Sequence, residues 1–552
     1  MSRRHNSTNT PTIHPREILP HFRRLSRLSK AAYAVTEIYG ANLMRLLALA
    51  ASLAFASTPF ASAQNENASD VTKLAFAAGY KALFTCGATY NANQSLAEIG
   101  ANELDGIYQD YRPLMSQISD ANINERRKMV SVRFDRALPP RIAVWRSGLG
   151  CSLLPVGTGS DMTDWLPRFA ATDIDYGRDI TTAIGDNVTL TENTFALDRL
   201  GAQVSFAFDG STYGDGTRTS AVVVVHKGQV VAEQYARGID ANTPQRTWSV
   251  AKSLSSTIIG AAIEDGYVGL DTEAILEAFN KGGDPRRDIT LRHVLNMASG
   301  LESGSQGARS DRVYFGGASA RDMITARSLE AMPGSRFKYS DYDTLIAMRA
   351  LREAMGDDAQ FHRYPYTAVL NKIGAVHTTV ETDWHGDFLS SSQVWMTARD
   401  MARIGQLYLQ NGNWAGEQII PVDWVDFVTK PAPAQPSSTL GYGGSFWLLG
   451  GAAGLPQDTY AGVGNRGQLL VIVPSRDLVI VRRGFDVSGS GQFDFAKFAS
   501  HIVGAFDAAE RAKAEAEAAA AAALEAEEDA ETADDARRAS QRQSVRSKVG
   551  RR

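Results

Sequence analysis

The chain has 552 residues, with 57 Lys and Arg against 61 Asp and Glu, for a net charge of −4. Such a balance supplies no positive field to hold nucleic acid, and the length exceeds one ordinary domain. A good part of it reads as something other than folded core.

Residues 1–43 are polar, basic and irregular. Met44-Arg45 then opens a short apolar run over 46–56, and Ala61-Ser62-Ala63 precedes Gln64. A basic start, a short apolar stretch and an A-x-A site mark a secretory signal, and the run is too short to span a bilayer as a helix. The reading is translation from Met44, a signal peptide over 44–63 cleaved after Ala63, and an over-long start or disordered leader over 1–43. An N-terminal membrane anchor is the alternative. Residues 64–204 are expected to form a smaller accessory α/β domain, with a helix beginning near Val71 and a strand over 141–145. No motif there ties to chemistry. Export places Cys86 and Cys151, the chain's 2 cysteines, in an oxidising compartment, which predicts a disulfide; two buried free thiols are the alternative.

The main domain is expected over 205–507. A β-branched run at 221–226, a Lys227-Gly228 turn and 229–235 predict a hairpin. Next comes Trp248-Ser249-Val250-Ala251-Lys252, leading into a small-residue, apolar stretch to Ile263 that reads as a buried helix. One helical turn sets Ser249 Oγ and the Lys252 amine on one face. A serine hydroxyl is a poor nucleophile at neutral pH, and a desolvated, partly neutral lysine beside it can take its proton. The helix N-terminus would favour an oxyanion at the serine. The plainer reading is an exposed Lys252 with Ser249 as a helix cap.

Downstream, Tyr339-Ser340-Asp341 lies between a Pro333-Gly334 turn and an apolar helix, and can carry a phenol and a short polar group into a cleft. Gly462-Val463-Gly464-Asn465-Arg466-Gly467-Gln468 then leads into a second hairpin over 468–481, whose glycines permit close approach of backbone to a ligand. A helix around 493–506 is expected to pack on the sheet. Residues 508–552 are Ala/Glu-rich and then basic, predicting an exposed helix that fades into a disordered tail. His226, His293, His362, His377 and His385 show no metal-ligand spacing, and no G-x-S-x-G elbow surrounds a serine. No metal and no organic cofactor is expected.

In this order, the three elements around Ser249, Tyr339 and Asn465 resemble the serine β-lactamase and penicillin-binding protein superfamily, with its S-x-x-K, Y-x-N and K-T-G boxes. Residues 289–301, 397–405 and 441–447 are similar to stretches of its class C-like esterase and 6-aminohexanoate-dimer hydrolase branch. The resemblance covers about 205–505. It implies a β-lactamase-like α+β fold, an antiparallel sheet flanked by helices plus an all-helical lobe, with the active site between them. It further implies Ser249 as nucleophile, Lys252 as base and Tyr339 as second acid/base, with Tyr342 a competing assignment. Asp341 stands where Asn is more usual; it would hold Lys252 but raise its pKa and weaken it as a base. At the third box Asn465-Arg466-Gly467 stands for Lys-Thr-Gly, so the cation that would engage a β-lactam carboxylate is displaced or missing. Arg466 either replaces it or faces solvent. The same alignment makes the N–H groups of Ser249 and Gln468 the oxyanion hole. Trp384, Trp395 and Trp447 either line an acyl pocket or pack in the core.

The function this implies is an exported serine hydrolase acting on a small ester, amide or peptide-like substrate through an acyl-enzyme. No nucleic-acid partner and no membrane span after signal cleavage are expected. A β-lactamase or DD-peptidase, and a non-catalytic sensor or envelope binding protein, are the alternatives.

Overall fold

The computed structural model describes residues 70–168, 194–273, 275–304, 310–489 and 492–549; the leader, signal peptide and cleavage site read at 1–63 lie outside the described residues. Helix α1 (Asp70–Tyr90) buries a long face of Ala, Gly and aromatic side chains, among them Tyr80 and Phe84. Against it packs a four-stranded antiparallel sheet in sequential order, β1 (Asn122–Asn124), β2 (Met129–Val132), β3 (Arg141–Arg146) and β4 (Gly150–Leu153). A disulfide between Cys86 and Cys151 ties α1 to β4 across 65 positions of sequence, a closure that restricts the unfolded chain. This region shares its core with the rest of the molecule: Tyr80, Phe84, Val130 and Leu153 belong to the same buried cluster as Val223, Ile258, Phe315 and Val481. Glu381 joins the two parts, accepting hydrogen bonds from the Cys151 N–H and the Asn91 amide, both at 2.9 Å. Burial pushes its carboxyl up to about 7.

Helix α2 (Thr194–Phe206) leads to the hairpin of β5 (Thr219–His226) and β6 (Gln229–Tyr235). Lys227 and Gly228 both take positive φ at the tip, the turn whose twist matches that of the flanking strands. The two-residue strand β7 (Gln245–Arg246) then delivers the chain to α3 (Val250–Glu264). A mostly helical lobe follows, containing α4 (Asp341–Met355), the short strands β8 (Thr379–Val380) and β9 (Val394–Met396), and α5 (Ala398–Leu409). The chain returns through β10 (Gly441–Tyr442), β11 (Trp447–Leu448), β12 (Tyr460–Gly464), β13 (Gln468–Val473) and β14 (Leu478–Gly484), and ends in α6 (Phe495–Val549).

The main sheet is antiparallel in the order β10-β11-β12-β13-β14-β5-β6, so the two predicted hairpins join edge to edge with Val223 opposite Val481. Its central strands are largely apolar because both faces are covered, with Arg482 and Arg483 at the end of β14 as the charged exceptions. Val222, Val224, Leu469, Val471 and Ile480 enter the core formed with α2 and α6, while Val223, Val225, Leu470, Ile472 and Val479 enter the core that holds α3 and α5. Each such side chain contributes about 1.5–3 kcal/mol by leaving water. The fold is α+β and β-lactamase-like, and α3 lies where sheet and helical lobe meet.

The C-terminal segment departs from expectation. Phe498, Ile502 and Val503 dock the first turns of α6 on the sheet, but the helix then runs through Val549, so the basic stretch expected to be disordered is helical that far, with its described residues through Gln543 exposed. Ala, Glu, Lys and Arg all sustain a solvated helix. Among the described residues, no helix is long and apolar enough to cross a membrane.

Candidate active site

Ser249 is the residue before α3 and lies at the floor of a cavity of about 440 Å³. Its hydroxyl makes no capping bond to the helix. Instead Lys252 Nζ donates to Ser249 Oγ at 3.2 Å, as the one-turn spacing predicts. Lys252 is only 1% exposed, so the plainer reading of an exposed lysine and a capping serine does not hold. The ammonium also donates to Asp341 Oδ1 at 2.6 Å and to the Ser391 carbonyl at 2.9 Å. Burial works against its charge, but the Asp341 carboxylate and the Tyr339 phenol beside it outweigh burial and hold Lys252 above the usual lysine range. A carboxylate at 341 has the effect expected of it, and it opposes the role of base read for Lys252.

Local sequence places each of these groups. Ser340 caps α4 by accepting the Tyr342 N–H, which sets Asp341 in the first turn, where the helix N-terminus favours a carboxylate. The hydroxyls along α3 are paired rather than orphaned: Ser253 donates to the Ser445 carbonyl at 2.8 Å, Ser255 to the Ser390 carbonyl at 2.9 Å and Ser256 to the Gly444 carbonyl at 2.9 Å. A buried helix of small polar residues thereby pins the two loops beside Ser249.

Tyr339 lines the cavity with Ser249, and its ring centroid stands 4.9 Å from Lys252 Nζ. Tyr342, the competing assignment, is buried under the Arg327 guanidinium, 4.1 Å from its ring centroid. Of the three tryptophans, Trp447 lines the cavity and stands 5.6 Å from the Tyr339 ring. Trp395 is buried against Gly87 of α1, and Trp384 donates to the Gly317 carbonyl at 3.0 Å, so both pack.

At the third box, where Asn465, Gly467 and Gln468 line the cavity with Ser249, the structure corrects both readings of Arg466. Asn465, Arg466 and Gly467 form the turn between β12 and β13. Arg466 is neither a substrate clamp nor a solvent-facing residue. It is 3% exposed, and its guanidinium donates to the carbonyls of Asp486 (3.0 Å), Phe485 (3.2 Å), Glu103 (3.2 Å) and Asp105 (2.7 Å). Its positive φ of 57° turns the side chain under the hairpin. Gly467 has φ +80° and no room for a side chain, because the Arg482 guanidinium occupies that space. Arg482 in turn makes a two-pronged ion pair with Asp486, at 2.7 and 2.8 Å. Asn465 donates to the Tyr108 hydroxyl at 3.1 Å. The Gln468 side chain is buried, donating to the Gly484 carbonyl at 2.6 Å and accepting from Arg483 at 2.7 Å.

The strand backbone set against Ser249 belongs to β12. A Cβ at Gly464 would lie 2.5 Å from the Thr247 carbonyl oxygen and 3.1 Å from the Ser249 nitrogen. One at Gly462 would lie 3.0 Å from Ser253 Oγ. These glycines seat α3 on the sheet rather than a ligand on the strand. Ser391 and Tyr314, whose hydroxyls are hydrogen-bonded to each other, complete the cage around Lys252 and carry no sequence signal that spacing could reveal. Among the described residues, no group of three or more His, Cys, Asp or Glu side chains is placed to hold a metal ion.

Residues 208–482 match the family model described as Beta-lactamase, and the chain belongs to that family. It is similar to the 6-aminohexanoate-dimer hydrolase of Paenarthrobacter ureafaciens, with 24% identity over 321 residues, 54% of this chain and 79% of the relative. Similar solved structures include a family VIII carboxylesterase, 13% identical, covering 57% of this chain and 97% of that one with a TM-score of 0.47. A penicillin-binding protein homologue from Caulobacter crescentus, also 13% identical, covers 56% of this chain and 98% of that one with a TM-score of 0.46.

Proposed function

We propose that the protein is an exported serine hydrolase that cleaves an ester or amide of a small neutral, apolar acyl group through an acyl-enzyme on Ser249. The observation that carries this reading is the Ser249–Lys252 pair opening onto a cavity that presents no free cation. Arg466 is the one basic side chain among the described residues lining it, and backbone carbonyls occupy its guanidinium. Leu440, Trp447, Val463, Leu469 and Phe495 give the cavity an apolar wall. A relative named as a hydrolase supports the same class.

With Lys252 held above the usual lysine range, Tyr339, which has to be in its phenolate form to do so, is the group assigned to take the Ser249 proton as Oγ attacks the acyl carbonyl. The Ser249 N–H at the α3 N-terminus favours the resulting oxyanion. Collapse expels the alcohol or amine, which leaves with a proton returned from Tyr339. Water then attacks the acyl-serine, giving a proton to the Tyr339 oxygen, and that proton passes to Ser249 Oγ as the acid is released. Lys252, fixed by Asp341 and Ser391, stabilises the negative charge that appears nearby.

A penicillin or a peptidoglycan stem peptide carries a carboxylate that this cavity has no free cation to receive. The expected kcat/KM is at least about 100-fold higher on p-nitrophenyl butyrate than on benzylpenicillin. Comparable efficiency on the penicillin would overturn the assignment in favour of a β-lactamase. A location outside the cytoplasm is supported by the disulfide. N-terminal sequencing of protein recovered from its native host is expected to begin at Gln64; a mature chain still carrying residues 1–43 would refute export by this signal.

A further inference from the structure

The residue before the nucleophile has an unusual backbone. Trp248 takes φ +50°, a left-handed conformation that bulky L-residues rarely adopt and keep only where their surroundings impose it. On the sheet side, the Thr247 N–H donates to the Val394 carbonyl at 2.8 Å, and Gly464 closes against the Thr247 carbonyl. On the other side Arg246 is joined by Phe84 and Tyr108, which lie outside residues 208–482, the segment matched by the family model. The Arg246 guanidinium lies against two neighbouring rings that stand 5.7 Å apart, 4.0 Å from the centroid of Trp248 and 4.3 Å from that of Phe84 on α1. Arg246 is itself fixed by the carbonyl and hydroxyl of Ser392, at 3.1 and 2.9 Å. The Tyr108 ring meets Trp248 edge-on at 6.1 Å with an interplanar angle of 90°.

Tyr108 has a second attachment. Its hydroxyl accepts the Asn465 amide hydrogen bond at 3.1 Å, and Asn465 lines the cavity at the β12–β13 turn. The same stretch of chain supplies the Glu103 and Asp105 carbonyls that hold Arg466 in that turn. One aromatic residue therefore touches both the turn that presents Ser249 and the turn that forms the facing wall.

We infer that Tyr108 is a positioning residue for the hydrolysis proposed above, fixing the Trp248–Ser249 turn relative to the Asn465 turn. The role of residues 70–118 is then to complete the geometry of a site whose reacting groups all lie elsewhere. The energetic logic is that of near-attack geometry: displacement of a nucleophile by about 1 Å can cost about 100-fold in rate while leaving substrate binding largely intact. Tyr108 approaches the nucleophile through Trp248 and Asn465 and touches no reacting atom, so its removal should act on kcat rather than KM. This inference rests on Ser249 being the nucleophile.

The test uses the full chain with Tyr108→Phe, Tyr108→Leu and Tyr108→Ala, measuring p-nitrophenyl butyrate hydrolysis and the rate of fluorophosphonate labelling at Ser249. For Tyr108→Leu and Tyr108→Ala, kcat and the labelling rate are each expected to fall about 10–100-fold, with KM within about threefold of wild type. Tyr108→Phe keeps the ring against Trp248 and is expected to retain kcat within about fivefold. Should the alanine variant fail to fold, the leucine variant, which keeps apolar bulk, decides. A folded leucine or alanine variant with wild-type kcat and labelling rate overturns the positioning role while leaving the hydrolase reading intact. A loss confined to KM overturns it as well, since that is the mark of a binding residue. A wild-type protein that neither labels at Ser249 nor hydrolyses the ester overturns both readings together.

Discussion

Ser249→Ala is expected to abolish ester hydrolysis, lowering kcat by at least about 10⁴-fold, and to remove the covalent adduct with p-nitrophenyl butyrate or a fluorophosphonate. The size of the effect follows from chemistry: the acyl-enzyme cannot form without Oγ, and the residual rate is what the cavity and the α3 N-terminus supply by binding alone. Structure should survive, because Ser249 Oγ makes no capping bond to the helix and the bond it forms with Lys252 is a 3.2 Å contact at the cavity surface. Intact-mass analysis of the two proteins after brief exposure to the reagents decides the matter. An adduct of equal extent on the alanine variant would move the nucleophile to another residue. A variant that keeps full biological activity would instead favour the non-catalytic envelope-protein reading.

Lys252→Met carries the second large effect, and it reaches both activity and stability. Activity is expected to fall about 10³-fold, within the range for loss of a positioned proton-transfer or charge-stabilising group. The folded state loses an ammonium shared by Asp341, Ser391 and Ser249, leaving a carboxylate at Asp341 with its strongest partner gone. Removing one member of a buried pair costs about 3–5 kcal/mol in general. The Asp341 side chain is 18% exposed, so water offsets part of that, and about 2–4 kcal/mol is expected here. Because Lys252 is held above the usual lysine range, its stabilising contribution is complete below about pH 10, where an unfolded lysine titrates, and is lost only as pH rises through the higher folded value. The difference in urea-unfolding free energy between wild type and Lys252→Met should therefore stay constant from pH 6 to 9. A difference that disappears between pH 7 and 9 would show a lysine that is neutral in the resting enzyme, restoring it as the base and removing that role from Tyr339.

Several elements are legible in the sequence because their determinants are local. The spacing of Ser249 and Lys252 is one turn of helix, and the small apolar residues that follow allow that helix to be buried. The hairpins at β5–β6 and β13–β14 are visible as β-branched runs closed by Lys227-Gly228 and by the turn starting at Pro474. The Cys86–Cys151 bridge needs only that two cysteines share an oxidising compartment and lie close in the fold. Other features carry no local mark. Ser391 holds Lys252 through its backbone carbonyl, an atom that every residue has. Phe84 and Tyr108 look like any other apolar positions until α1 is laid beside the nucleophile turn.

The sequence by itself determined which candidate groups stand together and what framework carries them: a serine and lysine one turn apart, a tyrosine before an acidic helix start, and strands that close an antiparallel sheet. These depend on helical and strand periodicity, which acts over a few residues. Only the tertiary structure decided how the groups are charged and where they point. Arg466 could equally have faced substrate or solvent as far as its neighbours in sequence go, and it faces neither because carbonyls more than 350 positions away accept its N–H groups. Lys252 is held above the usual lysine range because a carboxylate at position 341 and a phenol at 339 outweigh its burial. The balance between desolvation and attraction is set by what surrounds a group in three dimensions, and no spacing along the chain encodes it.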